Sequence, residues 1–141
     1  MSPSTMLDID SHYAVTPEQI EQFRRDGYIK LKDVLSAEVI QHYGDIITAE
    51  VHRLNTMHLP IEERDTYSKA FLQVINIWTK NDVVREFCWG QRLAGIAIEL
   101  LGVEGVRMYH DQALYKEPSG GVTPWHADQY YWPLDSDKTI T

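Results

Sequence analysis

The chain has 141 residues, 43% of them apolar and 24% charged, which are the proportions of one globular domain or part of one and exclude disorder for most of the length. Its net charge is −8, and the longest basic run is Arg24-Arg25, so nucleic acid and anionic membrane surfaces are poor partners. The single cysteine, Cys88, excludes an internal disulfide framework. No apolar run approaches the ~20 residues of a membrane-spanning helix. Met1 to Tyr13 has neither the basic nor the apolar region of a secretory leader, so the expected location is cytoplasmic.

In chain order, residues 1–15 show no periodicity and read as a flexible N-terminal tail. Thr16-Pro17-Glu18-Gln19 then forms a capping box with proline at the first helical position, and Gly27 stops that helix. Tyr28 to Leu31 alternates weakly and reads as a short strand. Ser36 opens a longer helix, whose stripe of Val39, Ile40, Tyr43, Ile46, Ile47, Val51 and Leu54 recurs at three- and four-residue steps. Phe71 to Trp78 is rich in β-branched and aromatic residues and predicts a strand. Asn81 caps a short helix running to about Trp89. Gln91 to Leu101 carries Leu93, Ile96, Ala97, Leu100 and Leu101 on one face before Gly102 closes it.

The pattern changes after Gly102. Val106 to Lys116 alternates, with Met108, His110, Gln112 and Leu114 on one face, so a strand is expected there. Pro118-Ser119-Gly120-Gly121 is a turn, Thr123 to Tyr131 is extended or looped, and Lys138 to Thr141 reads as the start of another strand. Helices followed by antiparallel-type strands predict an α+β chain with a sandwich or barrel beginning in its last third. A sheet begun so late needs further strands, because an isolated pair is marginal in water and leaves its edges open. The expectation is the front part of a larger domain, or pairing with another chain through the open sheet edge.

The chemistry concentrates in Trp125-His126-Ala127-Asp128. In an extended segment His126 and Asp128 point to one side, and an imidazole plus a carboxylate supply two of the three ligands of a two-His-one-carboxylate iron site. The alternative is a surface histidine hydrogen-bonded to a nearby aspartate. Tyr130, Tyr131 and Trp132 line a substrate side or belong to the core.

The stretch Arg107 to Leu134, with His126 and Asp128 inside it, resembles the phytanoyl-CoA dioxygenase family. Thr16 to Tyr28 is similar to that family's opening helix and strand, and Asn76-Ile77-Trp78 and Leu100-Leu101-Gly102 fit its middle. The likeness runs from residue 16 to residue 141 and covers roughly the front half of the family's domain. It implies a double-stranded β-helix, a cupin-like jelly roll, incomplete at the C-terminus, with residues 16–141 forming the front part of a single dioxygenase domain. It also implies Fe(II) and the cosubstrate 2-oxoglutarate, with ascorbate as an auxiliary reductant. The reaction implied is hydroxylation of an unidentified small molecule or acyl substrate, coupled to decarboxylation of 2-oxoglutarate to succinate.

By this resemblance His126 is the first histidine ligand and Asp128 the carboxylate. Gln112 falls where the family contacts 2-oxoglutarate, and Gln73 occupies another such position by a looser match. A carboxylate at Asp128 implies hydroxylation rather than halogenation. The second histidine ligand and the arginine that anchors 2-oxoglutarate are expected beyond the given residues. Among the other histidines, His12, His42, His52 and His58 lie in the tail, on the long helix or in a loop. His110, on the Gln112 face, is the one plausible substitute ligand, against a satisfied core role. Two rival readings stand beside the iron enzyme. One is a non-enzymatic interaction module, and the other is a zinc protein using the same ligands.

Overall fold

The computed structural model describes residues 7–66 and 68–141. Among them run four α-helices, α1 (Pro17–Asp26), α2 (Ala37–Leu54), α3 (Asp82–Cys88) and α4 (Gln91–Leu101), and two strands, β1 (Leu72–Ile75) and β2 (Gln112–Tyr115). The strands pair antiparallel, Leu72 opposite Tyr115 and Ile75 opposite Gln112. The chain is thus α+β, as expected, with a two-stranded antiparallel sheet among the described residues.

The helices begin and end where the caps dictate. The Thr16 hydroxyl accepts the Gln19 amide while the Gln19 side chain accepts the Thr16 amide, and Gly27 closes α1 at φ 78°, a left-handed conformation glycine adopts without steric cost. Ser36 caps α2. The Asn81 side chain accepts the amides of both Val83 and Val84 at the start of α3. Helix α4 has no side-chain cap of its own. Asp10 supplies one from the N-terminal segment, its carboxylate accepting the Gln91 amide at 2.9 Å.

That contact corrects the expectation of a loose tail. Residues 1–6 lie outside the described residues. From Leu7 to Val15 the chain has no helix or strand, yet it is anchored. Ile9 packs with Val39 and Tyr43, Val15 packs with Ile96 and Leu100, and Arg92 forms an ion pair with Asp8. The approach is so close that a Cβ at Gly90 would lie 3.0 Å from the Ile9 carbonyl oxygen. The absence of periodicity reflected irregular backbone, not absence of burial.

The strands are shorter than the alternation predicts, and one residue explains why. The Asp111 carboxylate accepts the Ile77 and Trp78 amides at 3.0 and 3.1 Å, and its carbonyl accepts the Asn76 amide at 3.0 Å. Asn76 itself turns the chain at φ 58°. Beyond this junction β1 no longer runs beside β2, so Val106 to Asp111 has no ladder partner and stays irregular. Phe71 to Trp78 likewise divides into β1 and a 3-10 turn at Ile77–Thr79. Tyr28 to Leu31 and Lys138 to Thr141 form no strand either. Ile29, Leu31 and Ile140 pack instead against the cluster of Val15, Ile96 and Leu100.

The main core joins the sheet to the helices. Val51 of α2, Leu72 of β1, Ile77 and Val84 of α3 form one buried cluster. Tyr115 ties β2 to α2 through a 2.6 Å hydrogen bond to Thr48. Replacing Asp111 by alanine leaves the Ile77 and Trp78 amides without their charged acceptor. Urea denaturation is expected to show a loss of about 1.5–3 kcal/mol, with Asp111→Asn losing less. A change within about 0.5 kcal/mol, the ordinary surface effect, contradicts this account.

Candidate metal centre

The loop after β2 is fixed before it reaches the site. The Arg64 guanidinium, only 7% exposed, forms an ion pair with Glu117, and Arg64 Nε also donates to the Leu59 carbonyl at 2.9 Å. Lys116 Nζ donates to the Gly121 carbonyl and to Thr123 Oγ1 at 3.3 Å. The Gly121 amide donates to the Lys69 carbonyl at 2.6 Å. Lys116 thus closes the loop as well as extending over the Phe71 ring.

Past this anchor, His126 Nδ1 lies 2.8 Å from the Pro124 carbonyl oxygen. A carbonyl only accepts, so Nδ1 carries a proton, and Nε2 is left to face Asp128. Nε2 lies 3.2 Å from Asp128 Oδ1. Ala127 between them is extended, at φ −110° and ψ 124°, which turns both side chains to one side. Asp128 then opens a 3-10 turn, Asp128–Tyr130, rather than continuing an extended segment.

At that separation the pair is favourable with a proton on Nε2 or with a cation held between Nε2 and the carboxylate. An octahedral ion with ~2.1 Å bonds has neighbouring ligand atoms about 3 Å apart, so the pair fits such an ion. The histidine's outer nitrogen bonded to a backbone carbonyl is the arrangement that orients metal-ligating imidazoles. Among the described residues no group of three His, Cys, Asp or Glu side chains is placed to hold a metal.

His126 and Asp128 border a cleft of about 700 Å³. The same cleft is lined by the apolar Ile29, Leu31, Leu93, Ile96 and Leu100 and by Gln129 and Trp132. Trp132 lines this cleft, whereas Tyr130 and Tyr131 are exposed, and the Tyr131 ring lies 6.1 Å from that of His126.

The structure does not bring the two glutamines into this cleft. Register places Gln73 opposite Leu114 and Ile75 opposite Gln112, so by the two-residue alternation all four share one face of the sheet. That face is open, with Ile75 and Leu114 about half exposed, while the Leu72, Val74, Ala113 and Tyr115 face packs on the core. Gln112 instead meets His110, 3.3 Å away, whose ring lies 6.0 Å from Trp132. The remaining histidines lie elsewhere: His12 pairs with Glu99 at 2.8 Å, His42 stands edge-on to Tyr43, and His52 and His58 are exposed.

Sequence reasoning missed Asp111 and Arg64. Their partners lie 33 to 53 residues away, so no local pattern signals them.

The family model for phytanoyl-CoA dioxygenase (PhyH) matches residues 23–141, and the chain belongs to that family. It is also similar to a protein of Stutzerimonas stutzeri described as "Probable alpha-ketoglutarate-dependent hypophosphite dioxygenase". The two are 23% identical over 134 residues, which is 88% of this chain and 45% of the relative. The chain therefore spans under half the length of that relative. No solved structure matches it significantly.

Arg64 holds the Glu117 carboxyl below its ordinary value of 4.5, chiefly by hydrogen bonding to it. A carboxyl depressed in the folded state stabilises it above the unfolded value and loses that contribution as pH falls through the folded one. Glu117→Gln is therefore expected to be less stable than the parent at pH 7, the gap closing as pH falls below about 4.5. Urea midpoints across that range check it, and a gap independent of pH contradicts it.

Proposed function

We propose that His126 and Asp128 are two protein ligands of Fe(II) in a 2-oxoglutarate-dependent hydroxylase. The supporting observation is that His126 Nε2 faces Asp128 Oδ1 at 3.2 Å, with Nδ1 committed to Pro124. Bound there with 2-oxoglutarate, Fe(II) supplies the O₂-dependent chemistry that hydroxylates a C–H bond. The chain's own residues supply the rest. The Pro124 carbonyl fixes the histidine tautomer, and Asp128 contributes the negative charge that favours a cation. The apolar residues that line the same cleft offer a surface for an apolar part of the substrate.

In this reading ascorbate serves to keep iron reduced, and Gln112 and Gln73, on a face that does not border the cleft, are given no contact with 2-oxoglutarate. The substrate is a small molecule or acyl compound, and the protein acts in the cytoplasm. Among the described residues no helix is long and apolar enough to cross a membrane.

A second reading rests on the sheet. No third strand pairs with β1 or β2 among the described residues, and Ile75 and Leu114 stand exposed on its open face. Strand pairing with another chain is the non-enzymatic function this geometry favours.

Succinate release from the full-length protein with Fe(II), 2-oxoglutarate and ascorbate tests the first reading. Turnover is expected to fall to background in His126→Ala and Asp128→Ala. Turnover unchanged by either substitution contradicts it. Tight zinc binding at the same residues without 2-oxoglutarate turnover supports a zinc protein instead.

A further inference from the structure

The 3-10 turn that carries Asp128 is poorly supported by its own backbone. It holds two hydrogen bonds, Tyr130 N–H to the Ala127 carbonyl at 3.0 Å and Tyr131 N–H to the Asp128 carbonyl at 2.9 Å. Such short pieces have poor hydrogen-bond geometry and draw most of their stability from contacts outside them. Tyr130 and Tyr131 are exposed and do not supply them, and Trp132 packs beside Tyr109 and His110 beyond the turn.

Gln129, in the middle of the turn, makes the outside connections. Its amide nitrogen donates to the Ser136 carbonyl at 2.9 Å and to the Leu134 carbonyl at 3.3 Å. Its amide oxygen accepts from Thr139 Oγ1 at 2.8 Å. Both donor hydrogens and the acceptor are thus engaged. The segment they grip is itself seated, because Ile140 packs with Val15, Ile96 and Leu100. A continuous path of contacts therefore runs from the helical core through Thr139 and Gln129 to the backbone of Asp128.

From this arrangement we infer that Gln129 is the positioning residue of the metal centre, locking the turn so that the Asp128 carboxylate is held opposite His126 Nε2. The inference rests on the metal reading proposed above. Gln129 touches neither His126 nor the ion; it acts through the backbone of Asp128. Such supporting partners typically contribute tenfold to a hundredfold in metal affinity.

The test uses Co(II) alone as the probe on the full-length protein, reading its visible absorption for affinity and ligand geometry, with far-UV circular dichroism as the check on folding. Gln129→Ala is expected to weaken Co(II) about tenfold or more and to shift the absorption bands. Thr139→Val is expected to weaken it in the same sense, and Thr139→Ser, which keeps the hydroxyl, to restore the parent affinity and bands. If Gln129→Ala does not fold, the comparison of valine with serine at 139 decides alone. Co(II) binding that is abolished by His126→Ala but unchanged in Gln129→Ala and Thr139→Val overturns this inference and leaves the metal reading standing. A parent protein that binds no Co(II), or binds it equally after His126→Ala, overturns both.

Discussion

Asp111 gives two carboxylate oxygens to the amides of Ile77 and Trp78 and its own carbonyl to the amide of Asn76. Those three bonds sit where the sheet meets the helical layer, and the arrangement on either side follows from them. Ile77 is held with its side chain in the cluster of Val51, Leu72 and Val84. The strand β1 is stopped at Ile75, and β2 can pair only from Gln112 onward. The register fixed in this way sets which β2 side chains meet the core and which face outward. It also fixes where the chain leaves the sheet for the loop that Arg64 and Lys116 then close.

The helices were legible because their signals are local. Thr16 and Gln19, Ser36, Asn81 and Gly102 each act within four residues of their own position, and each capping residue caps the helix its spacing predicts. The strands were less so. Alternation from Val106 to Lys116 states which residues share a face, but a strand exists only where a partner lies alongside. The partner's end is set by Asp111 and Asn76, and Asp111 is paired with residues more than thirty positions away. The N-terminal segment shows the converse. Its burial comes from two short groups, Leu7 with Ile9 and Tyr13 with Val15, each fitting a different helical surface, and such short groups are too brief to stand out as a pattern.

At the candidate site the pair His126 and Asp128 was readable because a spacing of two around an extended Ala127 is a local property. The tautomer was not, because it depends on the Pro124 carbonyl turning back onto the ring. Gln112 and Gln73 illustrate a different limit. The resemblance singled them out separately, and pairing puts them on the same open face, yet that face does not border the cleft of His126 and Asp128. Parity along a strand places a residue on a face; it does not carry that face to a loop ten residues further on.

The central claim is that His126 is held as the Nδ1-protonated tautomer, with Nε2 and Asp128 left to share a cation. Nitrogen-15 NMR of the histidine rings, before and after addition of diamagnetic Zn(II) as a stand-in for Fe(II), measures this directly. Nδ1 of His126 is expected to carry a proton with and without the ion, and a large shift confined to Nε2 is expected when the ion is added, absent in Asp128→Ala. A ring without a proton on Nδ1, or one whose Nε2 does not respond to the ion, would contradict it.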